Sequence, residues 1–346
     1  MTRQLVSRGL SLVSVVTRLT GDRRGLDAEA EWLDWRAMSS QRLRIGLIGW
    51  GTVGSALGQL ILDGPLPLEL SGLAVRDAKR DRANPLPNVP LLAPEQVIEG
   101  ASVVVELAGG IDGPLGWARR TLGSRKALVT ANKALLANHG DELAVLATTH
   151  QTALLGSASV GGGVPMIETV AHLAASGEIE AMTGLLNATT TFILGLMGGG
   201  ASYEEALAEA KAAGYAEADP TADVEGRDAA QKLAILASVA WRRWRSEAEV
   251  ETIGIIGLQL EPSQTIRLVA EATPDRLQVR PMELPPTSPL AAATGIESIL
   301  EVQVRDAGTF RVSGPGAGGQ ATAGAVYADL ARLVAGKLPI LFGGAT

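Results

Sequence analysis

The stretch that ends at Lys232 concentrates several carboxylates and one lysine where an apolar helical pattern begins. Asp228 and Lys232 are four residues apart, so a helix places them on one face about one turn from each other. Asp219-Pro220 is a suitable helix start, because Asp accepts hydrogen bonds from unpaired amides and Pro at the first helical position sacrifices none. We therefore predict one helix from there to Trp241 that carries the acid and the ammonium group into the core. The alternative is an exposed helix pair worth about 0.2–0.5 kcal/mol.

A glycine-rich turn lies between a short apolar strand pattern and a helix pattern. Its spacing is that of a dinucleotide loop, in which glycines allow a tight turn, close approach of the backbone to a pyrophosphate and close helix packing. The alternative is a purely structural turn. The predicted cofactor-binding residues of this turn are Gly49, Gly51, Thr52, Val53 and Gly54.

The second strand pattern ends at Arg76-Asp77, close to where a residue that reads the cofactor ribose should fall. Arg76 would hold a 2′-phosphate, whereas Asp77 would accept a hydrogen bond from a free 2′-hydroxyl. We predict NADP as the cofactor, with NAD as the open alternative.

Two further strand patterns end at the edge where a doubly wound sheet meets its ligand. The third strand runs into a turn with Ala108 and Gly109, and the fourth into the polar trio Thr130, Asn132 and Lys133. Beside the cofactor, Lys133 is a candidate for binding a substrate carboxylate or carbonyl oxygen. The alternative is an ordinary surface lysine.

The segment from Ser157 to Pro165 is a glycine-rich bend that leads into a helix pattern. Such a bend exposes backbone carbonyls, which are suitable ligands for a hard monovalent cation. The alternative is that the glycines only permit a tight turn.

Composition restricts the class of protein. A chain of 346 residues is long enough for about two domains, and its richness in Ala and Gly favours α/β layers. The net charge of -7 argues against a nucleic-acid partner, and the absence of Cys excludes disulfides and thiolate metal sites. No apolar run reaches the ~18 residues of a membrane span. Residues 1–41 resemble neither a secretory nor a transit peptide, so we predict a poorly ordered extension and a cytoplasmic protein.

Taken together, these motifs resemble the homoserine dehydrogenase family over roughly residues 43–335. The matches extend from the nucleotide loop to a late glycine motif, and the lysine-bearing stretch is among the most specific. The matching segments are residues 49–54, 129–137, 159–165, 184–194, 214–232, 287–290, 314–319 and 323–330.

The resemblance implies reversible NAD(P)-dependent interconversion of L-aspartate 4-semialdehyde and L-homoserine, a step towards threonine and methionine. It also implies an α/β fold with a Rossmann-type doubly wound nucleotide-binding domain at 42–168. A second α+β domain for substrate and dimerisation would span 169–312, and residues 313–346 would return to the first domain. A homodimer or homotetramer follows from the same resemblance.

The chemistry agrees with the residues. Hydride addition to an aldehyde carbon creates an alkoxide, which needs a proton source and nearby positive charge. Lys232 matches the family's proton-donating lysine, and Lys133 matches a second lysine near cofactor and substrate, so both should meet above the nicotinamide. The implied substrate-binding residues are Glu217, Gly214, Asp228 and Asp223; the late cofactor-binding residues are Gly316 and Gly318; the cation-binding residues are Ser157, Val160, Gly162 and Val164.

Three positions depart from the family's usual pattern. Ser157 replaces Glu, which removes a carboxylate from the implied cation site. Ala188 replaces Gly, and its methyl would obstruct a backbone that needs positive φ. Thr191 replaces Asn and lacks the paired donor and acceptor of an amide. Two alternatives therefore stay open: a reductase of another small amino-acid aldehyde, and a nucleotide-binding redox sensor without catalysis.

Overall fold

The computed structural model describes residues 42–75, 86, 88–261, 264–337, 339, 341 and 342. The predicted N-terminal extension and the ribose-reading pair Arg76-Asp77 lie outside the described residues.

The first sheet consists of five parallel strands: β1 (Leu43–Ile48), β2 (Leu68–Ala74), β3 (Val103–Glu106), β4 (Ala127–Thr130) and β5 (Leu154–Leu155). They lie in the order β2-β1-β3-β4-β5. The helices that connect them are α1 (Thr52–Asp63), α2 (Pro94–Gly100), α3 (Asp112–Gly123) and α4 (Lys133–Thr149). The strand order reverses between β1 and β3, which creates the crevice where doubly wound sheets bind ligands. This confirms the predicted Rossmann-type sheet.

Buried β-branched and leucine side chains hold this sheet together. Ile45 and Leu47 of β1 and Val104 and Val105 of β3 are completely buried, as expected for strands covered on both faces. Burial of each such side chain contributes about 1.5–3 kcal/mol. The register pairs Ile48 with Glu106, so both strands end at the same level of the crevice.

The second sheet has six strands: β6 (Ile179–Leu185), β7 (Val250–Thr252), β8 (Ile266–Ala272), β9 (Leu277–Glu283), β10 (Glu297–Val304) and β11 (Gly308–Pro315). They lie in the order β11-β10-β6-β8-β9-β7. Neighbouring strands are antiparallel except for the parallel pair β7 and β9. The accompanying helices are α5 (Met166–Ser176), α6 (Ala188–Gly198), α7 (Tyr203–Ala212), α8 (Thr221–Val224), α9 (Arg227–Trp241) and α10 (Gly319–Val334). Among the described residues, no helix combines the length and apolarity needed to cross a membrane.

The single helix predicted from Asp219-Pro220 to Trp241 is wrong, because Gly226 divides it into α8 and α9. Gly226 has a φ of +82°, and a Cβ there would lie 3.0 Å from Cγ2 of Thr252. The Asp219 side chain does accept hydrogen bonds from the Thr221 amide at 3.1 Å and from its hydroxyl at 2.5 Å. The interruption places Asp228 in the first turn of α9, where the helix dipole favours a carboxylate.

The strand β7 is short. Only Val250–Thr252 pairs with β9. The chain then turns against α8, where the Ile255 amide donates to the Val224 carbonyl at 2.7 Å. A Cβ at Gly254 would lie 2.2 Å from that carbonyl oxygen, so a small residue is required for this close approach.

Candidate active site

The glycine turn after β1 forms one wall of a cavity of about 830 Å³. A Cβ at Gly49, whose φ is +108°, would lie 2.6 Å from the carbonyl carbon of Leu107. A Cβ at Gly54 would lie 2.2 Å from the Gly49 oxygen, whereas one at Gly51 would meet nothing within 4 Å. The three glycines therefore provide the tight turn, the close helix packing and the open backbone that a pyrophosphate requires.

The turn after β3 forms a second part of the cavity wall, which includes Ala108 and Gly109 as predicted. Gly109 and Gly110 have φ of +69° and +79°, a conformation that favours glycine at both positions. Trp50 and Trp117 line the same cavity.

The late glycine motif packs on the start of α1. A Cβ at Gly319 would lie 2.4 Å from Cγ2 of Thr52, and Gly318, with φ +134°, turns the chain into α10. A Cβ at Gly316 would lie 1.9 Å from the Ser298 hydroxyl oxygen, so only glycine fits. Val53 follows Thr52 in the first turn of α1. The structure thus brings the late motif to the nucleotide loop.

Asp228 joins the two predicted lysines. Its Oδ2 accepts from Lys232 Nζ at 2.7 Å, and its Oδ1 lies 3.1 Å from Lys133 Nζ. Lys232 also donates to the Leu186 carbonyl at 2.8 Å. Lysines from α4 and α9, 99 positions apart in the chain, therefore converge on one carboxylate. The alternative of an exposed helix pair does not hold, since the side chains of Asp228 and Lys232 are only 7% and 13% exposed.

The charges in this cluster support one another. Burial alone would raise the pKa of Asp228, but the charges of Lys232 and Lys133 and the hydrogen bonds of the site outweigh burial and lower that pKa to about 2. The charge of Asp228 raises the pKa of Lys133 against the opposing effect of burial. Asp228 therefore stays ionised and Lys133 stays charged at neutral pH.

Asn187 connects the two acids of the site, a role that its place in the sequence does not indicate. Its Nδ2 donates to Asp223 Oδ1 at 2.7 Å and to Asp228 Oδ2 at 2.8 Å, while its Oδ1 accepts from the Thr190 amide at 2.7 Å. Burial and the neighbouring charge of Asp228 raise the pKa of Asp223. The available signal was an Asn directly before a helix, a common N-cap.

The loop with Gly214 and Glu217 lies beside this cluster. Thr189 of α6 donates to the Tyr215 carbonyl at 2.7 Å, and the Phe192 and Tyr215 rings meet edge to face at 5.0 Å. Gly214 has φ +75°. Glu217 is exposed, and its charge contributes to the raised pKa of Lys133. Glu217 is therefore near Lys133 with its carboxylate open to solvent, whereas Gly214 provides the turn that leads into this loop.

The predicted cation-binding residues divide between two environments. Gly162 packs on the late glycine motif, because a Cβ there would lie 3.2 Å from the Gly316 oxygen. Val160 and Val164 are buried, and the Val164 carbonyl accepts from the Met166 amide at 2.7 Å. The Ser157 hydroxyl belongs to another cluster on α10.

In that cluster, Ser157 Oγ donates to Asp329 Oδ1 at 2.6 Å and accepts from Arg332 at 3.0 Å. Arg332 also donates to Asp329 at 2.8 Å and to Glu168 of α5 at 3.0 Å. Burial raises the pKa of Asp329 to about 6, against the opposing hydrogen bonds from Ser157 and the charge of Arg332.

The two departures on α6 are accommodated within the first helical turn. Ala188 is the first residue of α6 and does not have positive φ, so the expected obstruction is wrong. Thr191 is 4% exposed, and its hydroxyl donates to the Asn187 carbonyl at 3.0 Å. The hydroxyl therefore finds its partner in the backbone of its own helix, four residues earlier.

The family model described as homoserine dehydrogenase matches residues 165–331, and the model described as homoserine dehydrogenase, NAD binding domain, matches residues 49–155. The homoserine dehydrogenase of Corynebacterium glutamicum is 36% identical over 330 residues, which cover 85% of this chain and 72% of that relative. The homoserine dehydrogenase of Bacillus subtilis is 35% identical over 315 residues, covering 84% and 73%.

Solved structures give the same result. A homoserine dehydrogenase from Thiobacillus denitrificans superposes with a TM-score of 0.80 at 30% identity, covering 85% of this chain and 73% of that one. A hyperthermophilic archaeal homoserine dehydrogenase in complex with NADPH gives a TM-score of 0.78 at 26% identity, covering 87% and 100%. These matches confirm the resemblance and do not favour the two alternative functions. The chain belongs to the homoserine dehydrogenase family, NAD(P)-dependent oxidoreductases that act on a CH-OH group.

Proposed function

We propose that this chain interconverts L-homoserine and L-aspartate 4-semialdehyde with Lys232 as the proton donor and Lys133 as the charge that stabilises the developing oxyanion. The observation that carries the proposal is the convergence of both ammonium groups on Asp228, at 2.7 and 3.1 Å. The nicotinamide cofactor supplies the hydride when bound. In the reverse direction, Lys232 as the neutral amine accepts the proton of the homoserine hydroxyl.

The two lysines differ in a way that suits these roles. Lys232 is 13% exposed and is aimed by two acceptors, Asp228 and the Leu186 carbonyl. A proton that it gives to the substrate oxygen is replaced from solvent. Lys133 is 37% exposed and begins α4, directly after the strand that ends at the cofactor crevice. A charge held there by Asp228 favours negative charge on the oxygen in the transition state.

Glu217 and Asp223 are proposed to bind the α-ammonium group of the substrate. Glu217 has an exposed carboxylate close enough to influence Lys133, and Asp223 is held by Asn187 at 2.7 Å. In this proposal, the carboxylates of Glu217 and Asp223 bind the amino end of the substrate, and the two lysines bind the reacting carbonyl oxygen.

NADPH is the proposed reductant, with Arg76 as the residue that binds its 2′-phosphate. The support comes from the sequence order at the end of β2, since an arginine precedes Asp77 there. Comparison of kcat/KM for NADPH and NADH in the wild type and in Arg76→Ala tests this choice. A preference for NADPH that Arg76→Ala abolishes is expected; a preference for NADH contradicts it.

The side chain of Ser157 does not fit a monovalent cation, because the guanidinium of Arg332 donates to the same oxygen at 3.0 Å. Among the described residues, no group of three or more His, Cys, Asp or Glu side chains is arranged to hold a metal ion. A cation at the carbonyls of Val160, Gly162 and Val164 stays a prediction, and no step of the proposed reaction depends on it.

The homodimer or homotetramer, the cytoplasmic location and the domain boundaries also stay predictions. The mostly exposed edge strand β11, with Phe310 41% exposed, is a surface on which a second copy could pair. Light scattering of the protein as it elutes from a size-exclusion column would give the mass of the assembly. A monomer at micromolar concentration contradicts the predicted oligomer.

The reaction is tested with purified protein, homoserine and NADP⁺, by following the absorbance of the reduced nicotinamide. The wild type should turn over, and Lys232→Ala should lower kcat by roughly 10²–10⁴-fold, the usual contribution of a positioned acid or base, since Lys232 accepts the hydroxyl proton in this direction. Lys337→Ala removes an exposed lysine elsewhere and should leave kcat unchanged. Equal activity of Lys232→Ala and wild type would remove the proposed donor.

A further inference from the structure

Glu106 is a buried carboxylate to which neither the sequence motifs nor the proposed reaction assign a role. It is the last residue of β3 and is 0% exposed, at the edge of the crevice between β1 and β3. A buried carboxylate without compensation is unfavourable, and burial raises the pKa of Glu106. Three donors compensate it: the Ala108 amide at 2.8 Å, the Gly109 amide at 3.2 Å and the Thr130 hydroxyl at 2.7 Å.

These bonds belong to a closed ring of hydrogen bonds. The Thr130 hydroxyl that donates to Glu106 accepts from the Asn132 amide at 3.0 Å. The Asn132 side chain then donates through Nδ2 to the Gly110 carbonyl at 2.7 Å and accepts through Oδ1 from the Leu135 amide at 3.1 Å. The ring therefore connects the turn at 108–110 to the first turn of α4.

The two ends of this ring are the parts of the site that need support. Gly109 and Gly110 both have positive φ, and consecutive glycines lose more conformational freedom on folding than other residues. Their turn forms part of the dinucleotide cavity. At the other end, Asn132 is the N-cap residue of α4 and directly precedes Lys133, whose ammonium lies 3.1 Å from Asp228.

We propose that Glu106 is a positioning residue that holds the 108–110 turn against the bound dinucleotide and, through Thr130 and Asn132, fixes the backbone from which Lys133 reaches Asp228. The part of this inference that concerns Lys133 rests on the proposed function. The part that concerns the turn depends only on dinucleotide binding.

Substitutions at Glu106 separate positioning from charge. Glu106→Ala removes the acceptor of two turn amides and of Thr130, so the Kd for NADPH should rise and kcat should fall, each roughly 10- to 100-fold. Glu106→Gln keeps an oxygen for the two amides, and its amide nitrogen donates to Thr130, which has a free lone pair. Glu106→Gln should therefore remain within about fivefold of wild type in both constants.

Thr130→Val separates the two ends of the ring. The valine is nearly isosteric and leaves the bonds from Ala108 and Gly109 to Glu106, so the Kd for NADPH should change little. The link to Asn132 is lost, so kcat should fall by roughly tenfold. Leu143→Ala, a buried position on α4 away from the ring, is the control: it should lower the melting temperature without changing Kd.

The Kd is measured by energy transfer to the reduced nicotinamide from Trp50 and Trp117, which line the cavity. A double-mutant cycle tests the link to Lys133: Glu106→Ala should lower kcat in the wild type and have no further effect on kcat in Lys133→Met. If Glu106→Ala does not fold, Glu106→Gln and Thr130→Val still decide the proposal through Kd and kcat.

Three results would overturn it: an unchanged Kd in Glu106→Ala, a Glu106→Gln as impaired as a folded Glu106→Ala, or a Thr130→Val that raises Kd and leaves kcat intact. Absence of homoserine turnover in the wild type would instead overturn the proposed function. In that case the Kd measurements would still decide whether Glu106 holds the turn.

Discussion

At the residue scale, one carboxylate holds the two lysines proposed to carry the reaction, because Asp228 has an oxygen for each of them. Its spacing from Lys232 was readable as a helical pair, since that contact needs only the repeat of one helix. Its contact with Lys133 needs α4 and α9 to pack side by side, which no local pattern specifies. Asn187 could be read as a helix cap, but its bridge between Asp223 and Asp228 depends on how the start of α6 packs against α8 and α9.

Asp228→Asn should disrupt both the reaction and the pH dependence of stability. The asparagine leaves two ammonium groups without their shared counter-charge, so kcat should fall roughly 100-fold or more. The pKa of Lys133 should also fall, because the charge of Asp228 is the main cause that raises it. The pKa of Asp228 is lowered to about 2 on folding, so its stabilisation is complete above its unfolded value and is lost as pH falls through about 2.

The free energy of unfolding at pH 7 should therefore decrease by about 2 kcal/mol in Asp228→Asn, and the difference from wild type should shrink on acidification. Chemical denaturation at several pH values measures this. Asp141→Asn, an exposed acid on α4, is the control and should match wild type. A deficit of Asp228→Asn that grows towards low pH would contradict the assigned charge state.

At the element scale, parallel strands were easier to predict than the interruptions of helices. Buried apolar runs and the glycine spacing identified β1 to β4, because these signals are local. The break at Gly226 was missed, since the glycine is required by the approach of Thr252 from another strand. The end of β7 likewise depends on a contact between segments that are distant in the chain, because Gly254 packs closely against the Val224 carbonyl.

Gly226→Ala should show that this break serves the site. The alanine must take positive φ and place its methyl 3.0 Å from Thr252, which should cost about 1–3 kcal/mol and shift the start of α9. Because Asp228 lies two positions later, kcat should also fall, by roughly tenfold or more.

Gly308→Ala is the matched control, since its φ is +88° and a Cβ there meets nothing within 4 Å. It should lose stability without losing kcat. Melting temperatures and kcat of both variants distinguish the cases, and a Gly226→Ala enzyme with unchanged kcat would show that α9 tolerates a displaced start.

At the scale of the whole molecule, the last helix connects segments that are distant in the chain. Its N-terminal end packs on α1 through Gly319 and Thr52, and its Asp329 and Arg332 bind Ser157, which follows the first sheet, and Glu168 on α5. The return of this helix to the first domain was expected from the family resemblance, but the bonds to Ser157 were not, because the sequence shows that position only as the replacement for a family glutamate. The structure shows a serine that belongs to a partly buried ion-pair cluster.

Arg332→Met tests how much that connection contributes. It leaves Asp329, which is 0% exposed, without its counter-charge and should destabilise the fold by about 3 kcal/mol. The pKa of Asp329, already raised to about 6, should rise further once Arg332 no longer lowers it. A raised carboxyl pKa disfavours the folded state as pH rises, so the deficit of the variant should be larger at pH 8 than at pH 5. Urea denaturation at both pH values measures it. On an Asp329→Asn background, which lacks the titrating group, the further loss of stability caused by Arg332→Met should be the same at both pH values. A deficit that is equal at both pH values in the single variant would show that Asp329 is not the group left uncompensated.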